Sequence, residues 1–315
     1  MDVCQPMIEL RQLHRFFGET RAVNNVSFQV GRGQVFGYIG PNGAGKTTSM
    51  RILATLDLPT AGDAFVDGFS VVNDPDRVRG RLGFMPDYFT TYSNVDVREY
   101  LDFFARAYHL HGKDRKRAIE RVMSFTGLDV LAHKPIDGLS KGMKQRLCLG
   151  RALIHDPPVM VLDEPAAGLD PRARIELRVM IRALADEGKS ILISSHILTE
   201  LAEVCDLVGI VERGSLVTMG SVEEIQNGLR QEKNLVAVRV LGGVDGLAEW
   251  LDERSGVGQV KVDGSVVRFE LAGDEAAEAD LLRAMIHDGF RVVAFGAQQG
   301  TLEDVFMQVT KGLVQ

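Results

Sequence analysis

Residues Ile8–Leu13 and Ala22–Val30 alternate apolar and polar positions, as half-buried strands do. QVFGYIG (34–40) is an apolar run entering a glycine, which predicts a short buried strand, and TTSMRILATL (47–56) after it has helical character. AFVDG and RLGFM predict two more short strands. From Asp96 to Ala152 the period turns helical, with Val97, Tyr100, Leu101, Phe104 and Tyr108 on one face. VMVLDEP (159–165) is an apolar run ending in two carboxylates, the pattern of a central parallel strand with a site at its C-terminal edge. Asp170 and Pro171 read as N-cap and first residue of a helix over 171–187, and SILISSH (190–196) as another buried strand.

Near residue 230 the character changes. LRQEKN is polar and carries no motif, so the expected domains are 1–230 and 231–315. The second predicts strand 235–241, helix 245–252, strands 257–262 and 265–271, helix 275–288 and strand 290–296. That β-α-β-β-α-β order is the ferredoxin-like unit, an α+β fold, and Gly264 suits the hairpin turn between its middle strands. A last helix is expected from Thr301, with Asp304 completing a capping-box-like start.

Composition narrows the function. A formal charge of −7 argues against a chain built to coat nucleic acid or an anionic membrane surface. Cys4, Cys148 and Cys205 lie far apart and form no metal-ligand set, so they read as apolar fillers in a reducing cytosol. His109 and His111 close a helix-like run before Gly112 and read as solvated. The start, MDVCQPMIEL, has no basic segment leading into an apolar one, so no signal peptide is expected. No apolar run approaches the roughly 18 residues of a spanning helix.

The chemistry concentrates in four places. GPNGAGKTT (40–48) satisfies G-x-x-x-x-G-K-[ST] between a strand and a helix. Gly40, Gly43 and Gly45 let backbone N–H groups surround phosphate oxygens, Lys46 brings charge to the outer phosphates, and Thr47 suits the metal that bridges them. Asp163 and Glu164 end a neighbouring strand. Adjacent side chains on a strand point to opposite faces, so one is expected at the metal and the other at the attacking water. His196 ends the next strand, where it would touch the γ-phosphate or the water. LSKGMKQRL (139–147) holds no nucleophile, histidine or carboxylate. It reads as a loop opening a helix with Ser140 as N-cap, and its bare first-turn N–H groups suit an anion.

GPNGAGKTT, LSKGMKQR, VMVLDEPAAGLD and SSH, in this order over about the first 230 residues, resemble the ATP-binding subunit of an ABC transporter. The resemblance implies an α/β P-loop core of RecA type with an antiparallel β subdomain and a helical subdomain. It implies ATP bound by Gly40, Pro41, Asn42, Gly43, Ala44, Gly45, Lys46, Thr47 and Thr48, with an aromatic ring, Phe17 or its neighbour Phe16, on adenine. Asp163 would help hold Mg²⁺ through water, Glu164 would be the general base, and His196 the switch histidine at the γ-phosphate. Ser140 and Gly142 would bind the γ-phosphate held by a second subunit docked head to tail, and GLDP (168–171) would sense that subunit. The family's usual signature has glycine and glutamine where this chain has Lys141 and Met143. A further departure is GFMPD (83–87): the family's metal- and water-sensing glutamine is here Asp87, shorter and charged, and expected at both metal and water. The tail, ending in GTLEDVFMQVT (300–310), is similar to prokaryotic drug-resistance and polysaccharide-type exporter ATPases.

The first reading is therefore an exporter ATPase at the cytoplasmic face of the membrane. Its partners would be a second copy or a related subunit and a separate integral membrane subunit, with no nucleic acid. A soluble mechanical ATPase acting on ribosomes or nucleic acid is the alternative, but such relatives carry two ATPase units or a long coiled coil. A non-catalytic regulator would be expected to lose Lys46, Glu164 or His196, and all three are present.

Overall fold

In the computed structural model, the described residues are 5–88, 94–197, 201, 203–225 and 234–297. The chain divides into two compact units, Met1–Ser221 and Val222–Gln315.

The first unit contains two sheets. β1 (Ile8–Phe17), β2 (Thr20–Val30), β4 (Ala61–Val66) and β5 (Phe69–Ser70) form an antiparallel sheet in the order β2-β1-β4-β5. β1 runs to Phe17, past the expected end at Leu13. Its register against β2 shifts between Leu10 and Leu13 and again before Arg15, and Gln12 has φ +47°. The first of these bulges already breaks the period of two between Leu10 and Leu13, within the segment that the sequence reading takes as alternating.

The second sheet is built from β3 (Val35–Ile39), β6 (Leu82–Met85), β7 (Val159–Leu162), β8 (Ser190–Ser195), β9 (Leu207–Glu212) and β10 (Ser215–Gly220). The order is β10-β9-β3-β8-β7-β6, parallel except for β10. β3, β7 and β8 are buried throughout, which is why they read as apolar runs without alternation. One core joins the two sheets, with Phe28 of β2 stacked on Phe36 of β3 at 4.6 Å between ring centroids.

Helices complete this unit: α1 (Lys46–Leu53), α2 (Pro75–Arg81), α3 (Val97–Ala107), α4 (Gly112–Thr126), α5 (Lys141–Leu153) and α6 (Pro171–Asp186). Asp96 caps α3 through a reciprocal pair with Glu99, at 2.7 and 3.0 Å. Val97, Tyr100 and Leu101 are buried as their spacing predicts. Tyr108 leaves that face, because it is the C-cap of α3 and its ring lies flat on His155 at 3.7 Å. α4 and α5 pack closely at Gly150, where an added Cβ would meet Val122 Cγ1 at 2.8 Å. Asp170 caps α6 by accepting the Ala173 N–H at 2.9 Å.

The second unit contains β11 (Asn234–Val240), α7 (Val244–Asp252), β12 (Val257–Asp263), β13 (Val266–Leu271), α8 (Glu275–His287) and β14 (Val292–Ala297). Its sheet order is β12-β13-β11-β14, antiparallel at every pairing. This is the ferredoxin-like arrangement read from the sequence. Gly264, at φ +59°, makes the turn between β12 and β13. Val236, Val238, Leu247, Leu251, Phe269 and Met285 form the centre of its own apolar core. The expected domain boundary between residues 230 and 231, the helix from Thr301 and the motif at 300–310 lie outside the described residues. Among the described residues, no helix is long and apolar enough to cross a membrane.

Candidate functional site

The parallel sheet brings the candidate residues to one edge. β3 runs into the phosphate loop, β6 into Asp87, β7 into Asp163 and Glu164, and β8 into His196. All four leave at the C-terminal ends of parallel strands, where open α/β sheets place their sites.

Glycine is required by space in the phosphate loop. A Cβ on Gly40 would lie 2.3 Å from the Val211 carbonyl oxygen, and one on Gly45 2.1 Å from that of Ala22. Gly45 is also left-handed, at φ +97°, and is the N-cap of α1. No side chain caps that helix and no acid sits in its first turn, so its first N–H groups are left for an anion. Residues 42–48, with Ala22, Asp87 and Glu164, line a cleft of about 190 Å³. The Lys46 ammonium is buried within it, donating to the carbonyls of Gly40 at 2.7 Å and Pro41 at 3.2 Å. It also lies 3.4 Å from Glu164 Oε1.

Asp163 is fully buried. Its Oδ1 accepts from the Ser194 hydroxyl at 2.6 Å, while Oδ2 has no hydrogen-bond partner. Burial pushes its carboxyl up, the hydroxyls of Ser194 and Thr47 oppose that, and the charges of Asp87 and Glu164 add to the rise. A carboxylate crowded by like charges, with one oxygen unpartnered, suits a divalent cation. The donors gathered here, Thr47, Asp163 and Asp87, are all hard oxygens, as Mg²⁺ prefers.

Glu164 departs from the expectation that adjacency puts it on the opposite face from Asp163. β7 ends at Leu162, and Glu164 has φ +46°, so the pleat stops before the pair. The two acids share Ser194 and differ in their other partners. Glu164 Oε2 lies 2.8 Å from His196 Nδ1, and its N–H donates to Ser194 Oγ at 2.9 Å. The sequence reading includes Ser194 in the SSH motif but gives it no role, because a serine at the end of a buried strand carries no local sign of its partners.

Other candidates lie away from this cleft. Phe17 does not line it; the ring is 48% exposed, with the Arg15 guanidinium 4.3 Å from its centroid. Arg15 is held in turn by Asp57 at 2.8 Å. Phe16 is more buried and meets His14 edge-on at 5.6 Å. Ser140 is the N-cap of α5, accepting the Met143 N–H at 3.3 Å, and neither it nor Gly142 lines the cleft. Gly142 packs on α6, where its added Cβ would meet Ala173 Cβ at 3.3 Å. Lys141 lies over Gly168 of the GLDP loop, with its ammonium 2.1 Å from where a Gly168 Cβ would stand. The signature helix and the GLDP loop are thus neighbours, away from their own chain's phosphate loop.

Comparison with known proteins agrees with this geometry. The ABC transporter family matches residues 23–167, and the C-terminal domain of DrrA1-3-like ATP-binding proteins matches residues 220–310. The chain is 36% identical over 222 residues to the probable multidrug ABC transporter ATP-binding protein YbhF of Escherichia coli. That alignment covers 70% of this chain but only 38% of YbhF, so the chain spans well under half of that relative. It is 34% identical over 304 residues to the uncharacterized ABC transporter ATP-binding protein YxlF of Bacillus subtilis, covering 96% of this chain and 99% of the relative. Among solved structures, an ATP-binding subunit of an ABC transporter aligns with a TM-score of 0.65 and 28% identity, covering 71% of this chain and 93% of its own. A phosphate loop with two strand-end acids, and a relative matched along nearly its whole length, lead to one assignment: the chain belongs to the family of ABC transporter ATP-binding proteins.

Proposed function

We propose that the chain is the ATP-hydrolysing subunit of an ABC-type exporter, which drives a separate membrane-spanning subunit through ATP-dependent head-to-tail dimerisation. The observation that carries this reading is the meeting of Lys46 and Glu164 at one cleft, with His196 on the Glu164 carboxylate, while the Ser140 helix start does not line it. Phosphate loop and acids equip one half of an ATP site, and the signature helix is left to complete another. The exporter class is supported by the multidrug name of YbhF and by the DrrA-like C-terminal match. The C-terminal domain, expected over residues 231–315, is assigned to dimerisation or partner choice.

In this reading Thr47, Asp163 and Asp87 hold Mg²⁺, which when bound neutralises charge on the outer phosphates. Lys46 supplies a second positive charge there. Glu164 takes the proton of the attacking water, and His196 orients Glu164 through Nδ1. Phe17 offers adenine the ring face that Arg15 leaves free. A mechanical ATPase on ribosomes or nucleic acid is not favoured by a net charge of −7. Mild detergent extraction of the tagged chain from its own membranes is the test. Co-purification of an integral membrane protein is expected, and co-sedimentation with ribosomes instead would overturn the reading.

Asp87 gives a sharper expectation. Its charge faces the same cleft as Glu164 and raises the Asp163 carboxyl, so it repels a triphosphate that arrives without metal. One such repulsion near a protein surface is worth about 1 kcal/mol or more. Asp87→Asn should strengthen binding of metal-free ATP by roughly fivefold or more on that basis. It should leave ATP affinity at saturating Mg²⁺ nearly unchanged and flatten the Mg²⁺ dependence of hydrolysis. Fluorescent-nucleotide titrations with Mg²⁺ and with a chelator check this. Superimposable curves for wild type and Asp87→Asn would reduce Asp87 to a loop residue.

A further inference from the structure

We infer that Ser194 of β8 is a positioning residue that aims both acids of the site, its single hydroxyl donating to the Asp163 carboxylate and accepting the Glu164 N–H. The inference rests on the ATPase reading above and gives a role to Ser194, the first residue of the SSH motif, to which that reading assigns none.

The direction of each hydrogen bond follows from the groups. An ionised carboxylate only accepts and a backbone N–H only donates, so the relay runs from Glu164 N–H to Ser194 Oγ–H to Asp163 Oδ1, at 2.9 and 2.6 Å. Each bond polarises the next. Ser194 is fully buried in β8, after the apolar run Ile191, Leu192 and Ile193 and before Ser195. An apolar side chain would pack there without a desolvation cost, so the hydroxyl is retained for its partners.

Two consequences bear on the chemistry. With Oδ1 held by Ser194, Oδ2 of Asp163 is the oxygen left for a metal-bound water. With its N–H held, Glu164 keeps a left-handed backbone that few L-residues adopt, and from it the side chain reaches His196. Ser195 does a different job. Its hydroxyl accepts the Ile197 N–H at 2.9 Å and its carbonyl accepts the Gly40 N–H at 3.4 Å, so it shapes the strand end. The two serines are therefore not interchangeable.

The test uses the full chain as wild type, Ser194→Ala and Ser194→Cys, the last nearly isosteric with a much weaker donor. Mn²⁺ is titrated into each chain saturated with a non-hydrolysable ATP analogue and followed by electron paramagnetic resonance. Steady-state ATPase is read in parallel. Groups that orient metal-holding residues typically cost about 10–100-fold in affinity or activity when removed. Ser194→Ala is expected to weaken Mn²⁺ by that factor and turnover likewise, with Ser194→Cys in between, while metal-free nucleotide binds as in wild type. Wild-type Mn²⁺ affinity in Ser194→Ala overturns the inference and leaves the ATPase reading standing. Should Ser194→Ala fail to fold, Ser194→Cys decides alone, and wild-type behaviour there overturns it. A wild-type chain that takes up no Mn²⁺ with the nucleotide overturns both.

Discussion

Glu164→Gln should bind ATP but turn it over about 10²–10⁴-fold more slowly than wild type, the usual span for a lost general base. In activation energy this is about 3–5.5 kcal/mol. The amide has almost the same shape, so the left-handed backbone at φ +46° and the N–H bond to Ser194 are kept. A side-chain oxygen also remains within reach of His196. What is lost is the negative charge, and with it the ability to take a proton from water. The same loss releases Lys46 from a carboxylate 3.4 Å away, leaving that ammonium to the phosphates. Binding should therefore survive or tighten while chemistry stalls. Phosphate release under steady state measures the first effect. Size-exclusion chromatography with ATP should show the variant trapped as a nucleotide-bound dimer. Turnover near wild type would remove Glu164 from the mechanism.

How much of this was legible in the sequence depended on whether the signal was local. The phosphate loop was legible because strand, glycines, lysine and helix are contiguous, and steric need for Gly40 and Gly45 is decided by their immediate surroundings. The caps at Ser140 and Asp170 were legible for the same reason: each acts within three residues. The ferredoxin-like tail followed from periodicity and one turn glycine. Strand order in the parallel sheet was not legible. β3 lies between β8 and β9, over a hundred and fifty residues away, and no local pattern encodes that neighbour choice.

Backbone irregularity hid the rest. The bulges of β1 shift the pleat, so Leu10 and Leu13 are both buried although three apart, and alternation no longer reports the strand. At Glu164 the assumption of an extended backbone failed, and with it the argument from opposite faces. SSH was legible as a motif, but the role of Ser194 in it was not, because that role lies in two partners about thirty residues upstream, reached only when β7 and β8 pair. His155 is a related case. It reads as one more histidine, yet burial beneath Tyr108 pushes its pKa down to about 4, so it stays neutral across physiological pH and serves packing.

Lys46→Ala and Ser140→Ala should each lose at least about 100-fold in ATP turnover, the scale of removing one preorganised contact to a developing charge. They should do so from opposite sides of a shared site. Lys46 is buried in the phosphate cleft, whereas Ser140 opens α5 beside the GLDP loop and does not line that cleft. If the helix start binds phosphate at all, the phosphate is on another chain. Mixing the two variants would then produce heterodimers in which one site carries both lesions and the other carries neither, so activity recovers in part wherever a single intact site can fire. The geometric version needs no kinetics. Cysteines introduced at Ser140 and Asn42 should crosslink two chains when ATP is added and leave them separate without it. Of the native cysteines among the described residues, Cys148 is buried and Cys205 partly so, and each single-cysteine variant controls for reaction of all native thiols, Cys4 included. A dimer band that depends on ATP and on both engineered positions fixes the head-to-tail arrangement. Crosslinks confined to one chain would return Ser140 to the role of a helix cap and leave the cleft to work alone.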